Sequence, residues 1–194
     1  SNLQRQIIHT TADIGRPKVD SAADTLARLN PEIRVIRHQQ RLNAANGAAL
    51  IAGYDLVADG SDNFRTRYLL NDLCIQEGKT LVSAALLRFD GQLSTFKAHL
   101  GAPHPCYRCL FADEPPAELI PRCETAGIFG AVAGVMGSLQ ATEVLKEVLG
   151  LGDSLSGELL IYDALSVTFR KIRVKRRADC PSCGTSKSTE PPVA

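Results

Sequence analysis

The stretch YDLVADGSDNFRTRYLLNDLCIQEGKTLVSA, residues 54–84, decides the fold of this chain. A short apolar strand is expected at 54–58, and a segment of helical character follows from about 63 to 76. Gly78 ends that helix, and a second apolar strand is expected at 80–84. A strand, a helix and another strand in this order predict parallel pairing and therefore an α/β protein.

The sequence on both sides first continues this alternation and then changes it. Toward the N terminus we expect a helix at 17–29, a strand around 33–36 and a short helix near 44–51. Toward the C terminus we expect a hairpin over 88–97 that turns at Asp90-Gly91, a loop over 101–123, a helix that ends at Leu149, and strands at 158–162 and 168–175. The prediction is a Rossmann-like, mostly parallel sheet with helices on both faces and an antiparallel C-terminal extension.

The composition is that of a globular protein, with 44% hydrophobic and 22% charged residues. One domain is predicted over residues 1–184, and residues 185–194 are expected to form a disordered tail. The formal net charge of +1 argues against a general nucleic-acid or membrane surface. Six cysteines without a signal peptide fit a reducing cytoplasm better than a disulfide scaffold.

Two Cys-x-x-Cys pairs stand far apart in the chain, in HPCYRCLF at 104–111 and in ADCPSCG at 178–184. The two-residue spacing lets both sulfurs of each pair reach one metal ion, and four thiolates complete a tetrahedral zinc site. The predicted zinc ligands are Cys106, Cys109, Cys180 and Cys183. Two separate redox or reduced pairs are the alternative, but the Pro- and Gly-rich flanks favour zinc knuckles. Four sulfur ligands leave no open position, so the site is expected to be structural.

Two polar clusters suggest a phosphate site. Asp62 lies in the loop after the 54–58 strand, where ligands bind in open α/β sheets, and its carboxylate suits Mg²⁺ beside a phosphate. A helix N-cap formed by Ser61 or Asp62 is the alternative. Arg5 and Lys18 are natural phosphate partners, although Lys18 can also be a solvated surface lysine.

Cys123 belongs to neither cysteine pair and lies between Arg122 and Glu124. Most unpaired cysteines are small buried hydrophobes, but these polar neighbours fit that interpretation less well. Cys74, by contrast, lies between Leu73 and Ile75 within the expected helix, which indicates a core position.

Taken together, six ordered motifs resemble the MoeB/ThiF/HesA adenylyltransferases, bacterial relatives of the ubiquitin-activating enzymes. The motifs are SNLQRQ at 1–6, RPKV at 16–19, DGSDNFRTRYLLND at 59–72, CYRC at 106–109, PRCETAGIFGAVAGVMGSLQA at 121–141 and CPSCG at 180–184. They cover nearly the whole chain in the family's order. The similarity is greatest to the molybdopterin-synthase adenylyltransferase type.

The resemblance implies ATP, Mg²⁺ and Zn²⁺ as the bound groups, and it implies roles for individual residues. Ser1, Asn2 and Arg5 would contact the ATP ribose and phosphates, Lys18 would hold the phosphates, Asp62 would bind Mg²⁺ with Asn63 beside it, and Cys123 matches a thiol nucleophile of some members. The family converts the C-terminal Gly-Gly carboxylate of a ubiquitin-like sulfur carrier to an acyl adenylate and pyrophosphate. A thiocarboxylate follows, and either a molybdopterin or a thiamin carrier fits.

The resemblance also implies a homodimer and a separate persulfide donor protein, with no nucleic-acid or membrane partner. The family's first strand and its Gly-rich G-x-G-G-x-G nucleotide loop have no counterpart in residues 1–194, so this chain alone is expected to be inactive. Two alternatives stand beside the enzyme. The basic stretch KIRVKRRADC at 171–180 suits a zinc-stapled interaction or nucleic-acid-binding module without catalysis, and the Rossmann-like sheet suits a nicotinamide-dependent oxidoreductase.

Overall fold

A computed structural model describes residues 1–115 and 127–185 of the chain. The chain divides into two units, Ser1–Leu42 and Asn43–Ala194. The predicted domain boundary at 184 lies within the described residues, whereas only residue 185 of the predicted tail at 185–194 does.

The first unit contains one α-helix, α1 (Lys18–Leu29), preceded by short 3₁₀ turns at Asn2–Gln4 and Thr11–Asp13. The helix lies where the sequence predicted it. The strand expected around 33–36 was wrong, because residues 33–36 pair with no other strand among the described residues. The β-branched residues Ile33, Val35 and Ile36, which suggested a strand, are all exposed there and are not packed in a core.

The second unit is built around the strand–helix–strand element expected from residues 54–84. Its strands are β1 (Leu56–Asp59) and β2 (Thr80–Leu87), and α3 (Phe64–Gln76) connects them. The two strands pair in parallel, with Leu56 opposite Thr80. A short helix, α2 (Gly47–Ala52), precedes β1 and contacts α3.

Three antiparallel strands complete the sheet, namely β3 (Asp90–Phe96), β4 (Glu158–Asp163) and β5 (Thr168–Arg173). The strand order is β1-β2-β3-β4-β5, with one parallel and three antiparallel pairings. The α/β class and the antiparallel extension are therefore confirmed. Parallel pairing within the described residues is confined to β1 and β2.

The turn between β2 and β3 lies two residues earlier than expected. The turn residues are Arg88 and Phe89, because Leu87 pairs with Asp90 and Leu86 pairs with Gly91. Arg88 itself takes the positive φ of 54°. Gly91 serves packing instead, since a Cβ placed on it would lie 2.4 Å from Sδ of Met136.

Helices cover both faces of the sheet. The longest helix, α5 (Gly130–Leu149), packs against β2 and β3, and its Val132 and Met136 join the core around Val82. Strand residues alternate between faces, so Leu81 points the other way and lines a small cavity with residues of α3. Near the cysteines lie a 3₁₀ turn at Ala98–Leu100 and the short helix α4 (Tyr107–Leu110). No helix among the described residues is long and apolar enough to cross a membrane.

Candidate functional site

The four cysteines of the two Cys-x-x-Cys pairs meet in one buried cluster, as the sequence predicted. The Sγ–Sγ distances are 3.5 Å between Cys106 and Cys180, 3.4 Å between Cys109 and Cys183, and 3.9 Å between Cys106 and Cys109. All four sulfur atoms lie within 4.8 Å of one another. Sulfurs at the corners of a tetrahedron around zinc are about 3.8 Å apart for Zn–S bonds of about 2.3 Å, so the cluster has the size of a zinc site.

The protonation chemistry of the cluster also fits a metal. Burial raises the pKa of the Cys106 thiol far above its ordinary value, and burial raises the pKa of Cys183 to about 12. Burial opposes ionisation of Cys180 as well, but backbone N–H groups of Cys183 and Ser182 bring its pKa below the ordinary value. Buried thiols of this kind lose their protons to a bound dication, and zinc is the ion that four sulfurs select.

We call the Cys-x-x-Cys turns at 106–109 and 180–183 the first and second knuckles. Backbone and cationic groups hold the second knuckle in place. The Arg177 N–H donates to Sγ of Cys109 at 3.4 Å, and the Arg176 guanidinium donates to the carbonyl oxygens of Ala98 and His104 at 3.1 and 2.9 Å. A Cβ on Gly184 would lie 2.5 Å from the carbonyl oxygens of Ala178 and Cys180, so only glycine fits there. These contacts tie the C-terminal segment to the 98–110 region.

Helix α3 connects this cluster with the loop after β1. The Asn71 side chain is buried, and its Oδ1 accepts the Tyr107 N–H at 2.8 Å. The next residue, Asp72, accepts from Arg108 at 3.0 Å and from the Ser182 hydroxyl at 2.6 Å. Both knuckles therefore rest on the C-terminal half of α3.

At the other end of α3, a buried aspartate holds the loop that follows β1. Asp59 is 2% exposed, and its carboxylate accepts the Ser61 N–H at 2.8 Å and the Ser83 hydroxyl at 2.9 Å. Gln140 of α5 donates to the Asp59 carbonyl at 2.8 Å. Sequence reasoning treated Asp59 only as part of the loop, although a carboxylate placed directly after an apolar strand is a signal that could have identified it.

The helix cap is Asn63, not Ser61 or Asp62 as the alternative interpretation held. Asn63 Oδ1 accepts the Thr66 N–H at 2.9 Å, and its amide group donates to Asp62 Oδ1 at 3.2 Å. The Asp62 residue is exposed, so its carboxylate is open to a cation such as Mg²⁺.

Two polar atoms beside Asp62 are buried without a hydrogen-bond partner in the described part of the chain: Ser61 Oγ and Arg67 Nε. The same Arg67 donates from Nη2 to the Ser61 carbonyl at 2.7 Å, which keeps the two residues together. Buried polar groups are rarely left unpaired, so these atoms fit a polar ligand at this loop.

The first unit brings together part of the expected phosphate cluster. Lys18 Nζ donates to Asn2 Oδ1 at 2.9 Å, and Lys18 opens α1. The side chains of Ser1 and Arg5 form no hydrogen bond or ion pair with the described residues. Asp62 and Asn63 belong to the second unit, so the residues expected to bind the nucleotide are divided between the two units, and each group is described within its own unit.

Cys123, the expected thiol nucleophile, lies outside the described residues. Cys74 occupies the core position predicted for it, at 3% exposure, and burial raises the pKa of its thiol to about 12. A thiol in this state is not a nucleophile at neutral pH.

Comparison with known proteins identifies relatives over nearly the whole chain. The ThiF family model matches residues 1–182. A Thermus thermophilus protein named sulfur carrier protein adenylyltransferase is 48% identical over 186 residues, covering 95% of this chain and 69% of the relative. The Sus scrofa adenylyltransferase and sulfurtransferase MOCS3 is 50% identical over 185 residues, covering 95% of this chain but 40% of the relative. The SAMP-activating enzyme E1 of Haloferax volcanii is 45% identical, with 95% and 67% covered.

A solved structure shows the same fold at much lower sequence identity. The crystal structure of E. coli MccB with ATP aligns at a TM-score of 0.80 and 20% identity, covering 94% of this chain. The chain spans 55% of that protein.

Proposed function

Because the chain belongs to the ThiF family, we propose that the protein carrying it adenylylates the C-terminal glycine of a ubiquitin-like sulfur carrier. The named relatives include adenylyltransferases that are 48% and 50% identical to it. The observation that supports this most directly is the loop after β1, where an exposed Asp62 lies beside the unpartnered Ser61 hydroxyl and Arg67 Nε. The loop and the first turn of α3 together offer a carboxylate for a metal ion and two donors for an anion.

The chemistry of adenylylation explains why cations matter more than acids and bases here. The carrier carboxylate attacks the α-phosphorus of ATP, the bond to the bridging oxygen breaks, and pyrophosphate leaves with the electron pair. Two anions must approach each other, so Arg5 and Lys18 stabilise the charge that gathers on the phosphates. The Asn2 side chain restrains the Lys18 ammonium, which lowers the cost of ordering it. Mg²⁺ held by Asp62 supplies further charge neutralisation.

Carrier-dependent exchange between ATP and pyrophosphate, measured on the protein that carries this chain rather than on residues 1–194 alone, tests this proposal. Asp62→Ala should abolish exchange because the metal loses its charged ligand, and Lys18→Ala should slow it about 10²- to 10³-fold. Asp55→Ala is the matched control, since Asp55 is also an exposed carboxylate flanking β1, and it should exchange normally. Exchange that persists in Asp62→Ala would contradict the assignment. Running molybdopterin-type and thiamin-type carriers in parallel decides between the two pathways.

We assign a zinc ion to the four-cysteine cluster as a structural element. Cys106, Cys109, Cys180 and Cys183 supply all four ligands, so no position is left for substrate. We also expect a homodimer, with sulfur delivered by a separate persulfide protein.

Cys123 is the proposed acceptor of the carrier acyl group after adenylylation. A thiolate attacks an acyl adenylate readily because AMP is a good leaving group. Cys123→Ala should leave pyrophosphate exchange unchanged and should remove a reductant-sensitive conjugate between the protein and its carrier, detected by gel shift. Cys74→Ala is the control and should retain the conjugate, because Cys74 is buried. If wild-type protein forms no conjugate and Cys123→Ala still supports thiocarboxylate formation, a persulfide attacks the adenylate directly.

A further inference from the structure

The basic stretch at 171–177 forms one wall of a wide groove that the adenylylation proposal does not use. The groove has a volume of about 1030 Å³, and its other walls are the loops 101–104 and 153–157. Lys171, Arg173 and Lys175 alternate along the chain and all line this groove. Alternate residues of a strand share a face, so the three cations point to the same side of β5 and its continuation.

Two cations of the groove form ion pairs with carboxylates, and two others do not. Lys171 pairs with Glu158 at 3.0 Å, and Arg177 pairs with Asp179 at 2.9 Å. The side chains of Arg173 and Lys175 are exposed and have no hydrogen bond or ion pair with any residue in 1–115 or 127–185.

Arg176 also lines the groove and is a fixed cation. The Arg176 guanidinium is half-buried and held by the carbonyls of Ala98 and His104, so its charge cannot move away. On the opposite wall His104 Nδ1 lies 2.8 Å from the Ser156 hydroxyl, which joins the 101–104 and 153–157 loops. The groove therefore combines one fixed cation, Arg176, with the exposed side chains of Arg173 and Lys175.

The groove carries more positive than negative charge. Five cations line it against two carboxylates, Asp153 and Glu158, and the Asp179 carboxylate paired with Arg177 leaves a local excess of two positive charges, whereas the whole chain has a formal net charge of only +1. A local excess of this kind attracts an anionic partner and excludes a cationic one.

We infer that this groove binds an extended acidic segment of a partner protein. Lys171, Arg173 and Lys175 line one wall of the groove at every second position of β5 and its continuation. An extended segment that lies along this wall places alternate side chains beside these three cations, over a span of about 13 Å. Carboxylates at every second position of the segment match that spacing.

A single-stranded nucleic acid fits the groove less well. Such ligands use aromatic side chains as stacking platforms, and the residues that line the groove include no Phe, Tyr or Trp. The near-neutral chain also lacks the broad basic field that nucleic-acid binding needs. The groove includes none of the residues assigned to adenylylation, so a failed test of one proposal does not contradict the other.

Fluorescence anisotropy with a fluorescein-labelled (Glu-Thr)₄ peptide tests the inference on the purified, zinc-loaded protein. We expect saturable binding at low salt that weakens strongly in 0.5 M NaCl, since the Debye length falls to a few ångströms. Arg173→Glu should weaken binding about tenfold or more, and Lys175→Arg should retain it. Arg170→Glu is the matched control, because Arg170 lies on the other face of the same strand, and it should change affinity less than about twofold.

Three results would overturn the inference. The first is the absence of saturable peptide binding, and the second is equal weakening by Arg173→Glu and Arg170→Glu. The third is an oligouridylate of equal charge that binds more tightly than the peptide and is lost with Arg173→Glu, which makes the groove a nucleic-acid site. Circular dichroism and zinc content establish that the variants remain folded, as expected for changes at exposed positions.

Discussion

At the scale of single residues, the loop after β1 separates a positioning carboxylate from a ligand carboxylate. Asp59 is buried and accepts hydrogen bonds from Ser61 and Ser83, whereas Asp62 is exposed three residues later. Asp59 therefore fixes the shape of the loop, and Asp62 is free to meet a cation.

This separation predicts different stability changes for the two residues. Asp59→Ala should lower the free energy of unfolding by about 1–3 kcal/mol, because the buried Ser83 hydroxyl and the half-buried Ser61 N–H lose their acceptor. Asp62→Ala should lower it by less than about 0.5 kcal/mol, since it is an exposed site. Urea denaturation followed by circular dichroism measures both. Equal destabilisation by the two variants would show that Asp62 also holds the loop.

Residue chemistry predicted the ligand types better than the local geometry. The cysteine pairs were identified because metal binding demands their spacing, and the structure brings the four sulfurs together. The helix cap was missed because Ser61, Asp62 and Asn63 are all good caps by type. Which of them caps the helix depends on where the chain turns, and tertiary bonds to Asp59 decide that.

At the scale of secondary-structure elements, α3 is the part that both sites share. It has 13 residues and is about 20 Å long. Its N-terminal end is capped by Asn63 beside Asp62, and its other half contacts the knuckles through Asn71 and Asp72. One helix therefore contacts the cysteine cluster at one end and the loop that holds Asp62 at the other.

The second knuckle should be sensitive to a single methyl group. Gly184→Ala places a Cβ 2.5 Å from two carbonyl oxygens, so the turn must open, and zinc affinity should fall about 10- to 100-fold. Gly53→Ala is the control, since nothing lies within 4 Å of its Cβ position. Competition with a chromophoric chelator measures the affinity, after metal analysis has established about one zinc per chain in the unmodified protein. Unchanged affinity in Gly184→Ala would mean that the turn is not part of the metal site.

At the scale of the whole molecule, the close approach of α5 to the sheet depends on Gly91. Met136 is 1% exposed, and its sulfur occupies the space that a side chain on Gly91 would need. The sequence suggested a turn for Asp90-Gly91 because such pairs favour hairpins. That local rule takes no account of α5, which begins at Gly130, far along the chain from Gly91, and packs against it in the fold.

Gly91→Ala should lower the free energy of unfolding by about 1–3 kcal/mol through overpacking of the core. Gly134→Ala on α5 has open space around its Cβ position and should raise stability by about 0.5–1 kcal/mol through better helix propensity. Thermal and urea unfolding of both variants check the opposite signs. A stable Gly91→Ala protein would show that Met136 can move aside without cost.

The remaining difference between sequence and fold concerns residues 33–36. Their alternating apolar side chains resemble a strand, but a strand exists only beside a partner, and the first unit provides none among the described residues. The strand–helix–strand element at 56–87 was predictable because its two strands are each other's partners.

The four-sulfur cluster also has a consequence for the unfolded chain. Cys106 and Cys180 are 74 positions apart, so a bound metal closes a long loop that contains α5, β4 and β5. By the usual cross-link estimate, closing a loop of this length removes conformational entropy worth about 4.5 kcal/mol at 25 °C from the unfolded state while the metal stays bound. Removing the metal therefore restores freedom to the unfolded chain, in addition to any bond it breaks. A backbone cut anywhere between the knuckles leaves two pieces that the metal still holds as one body.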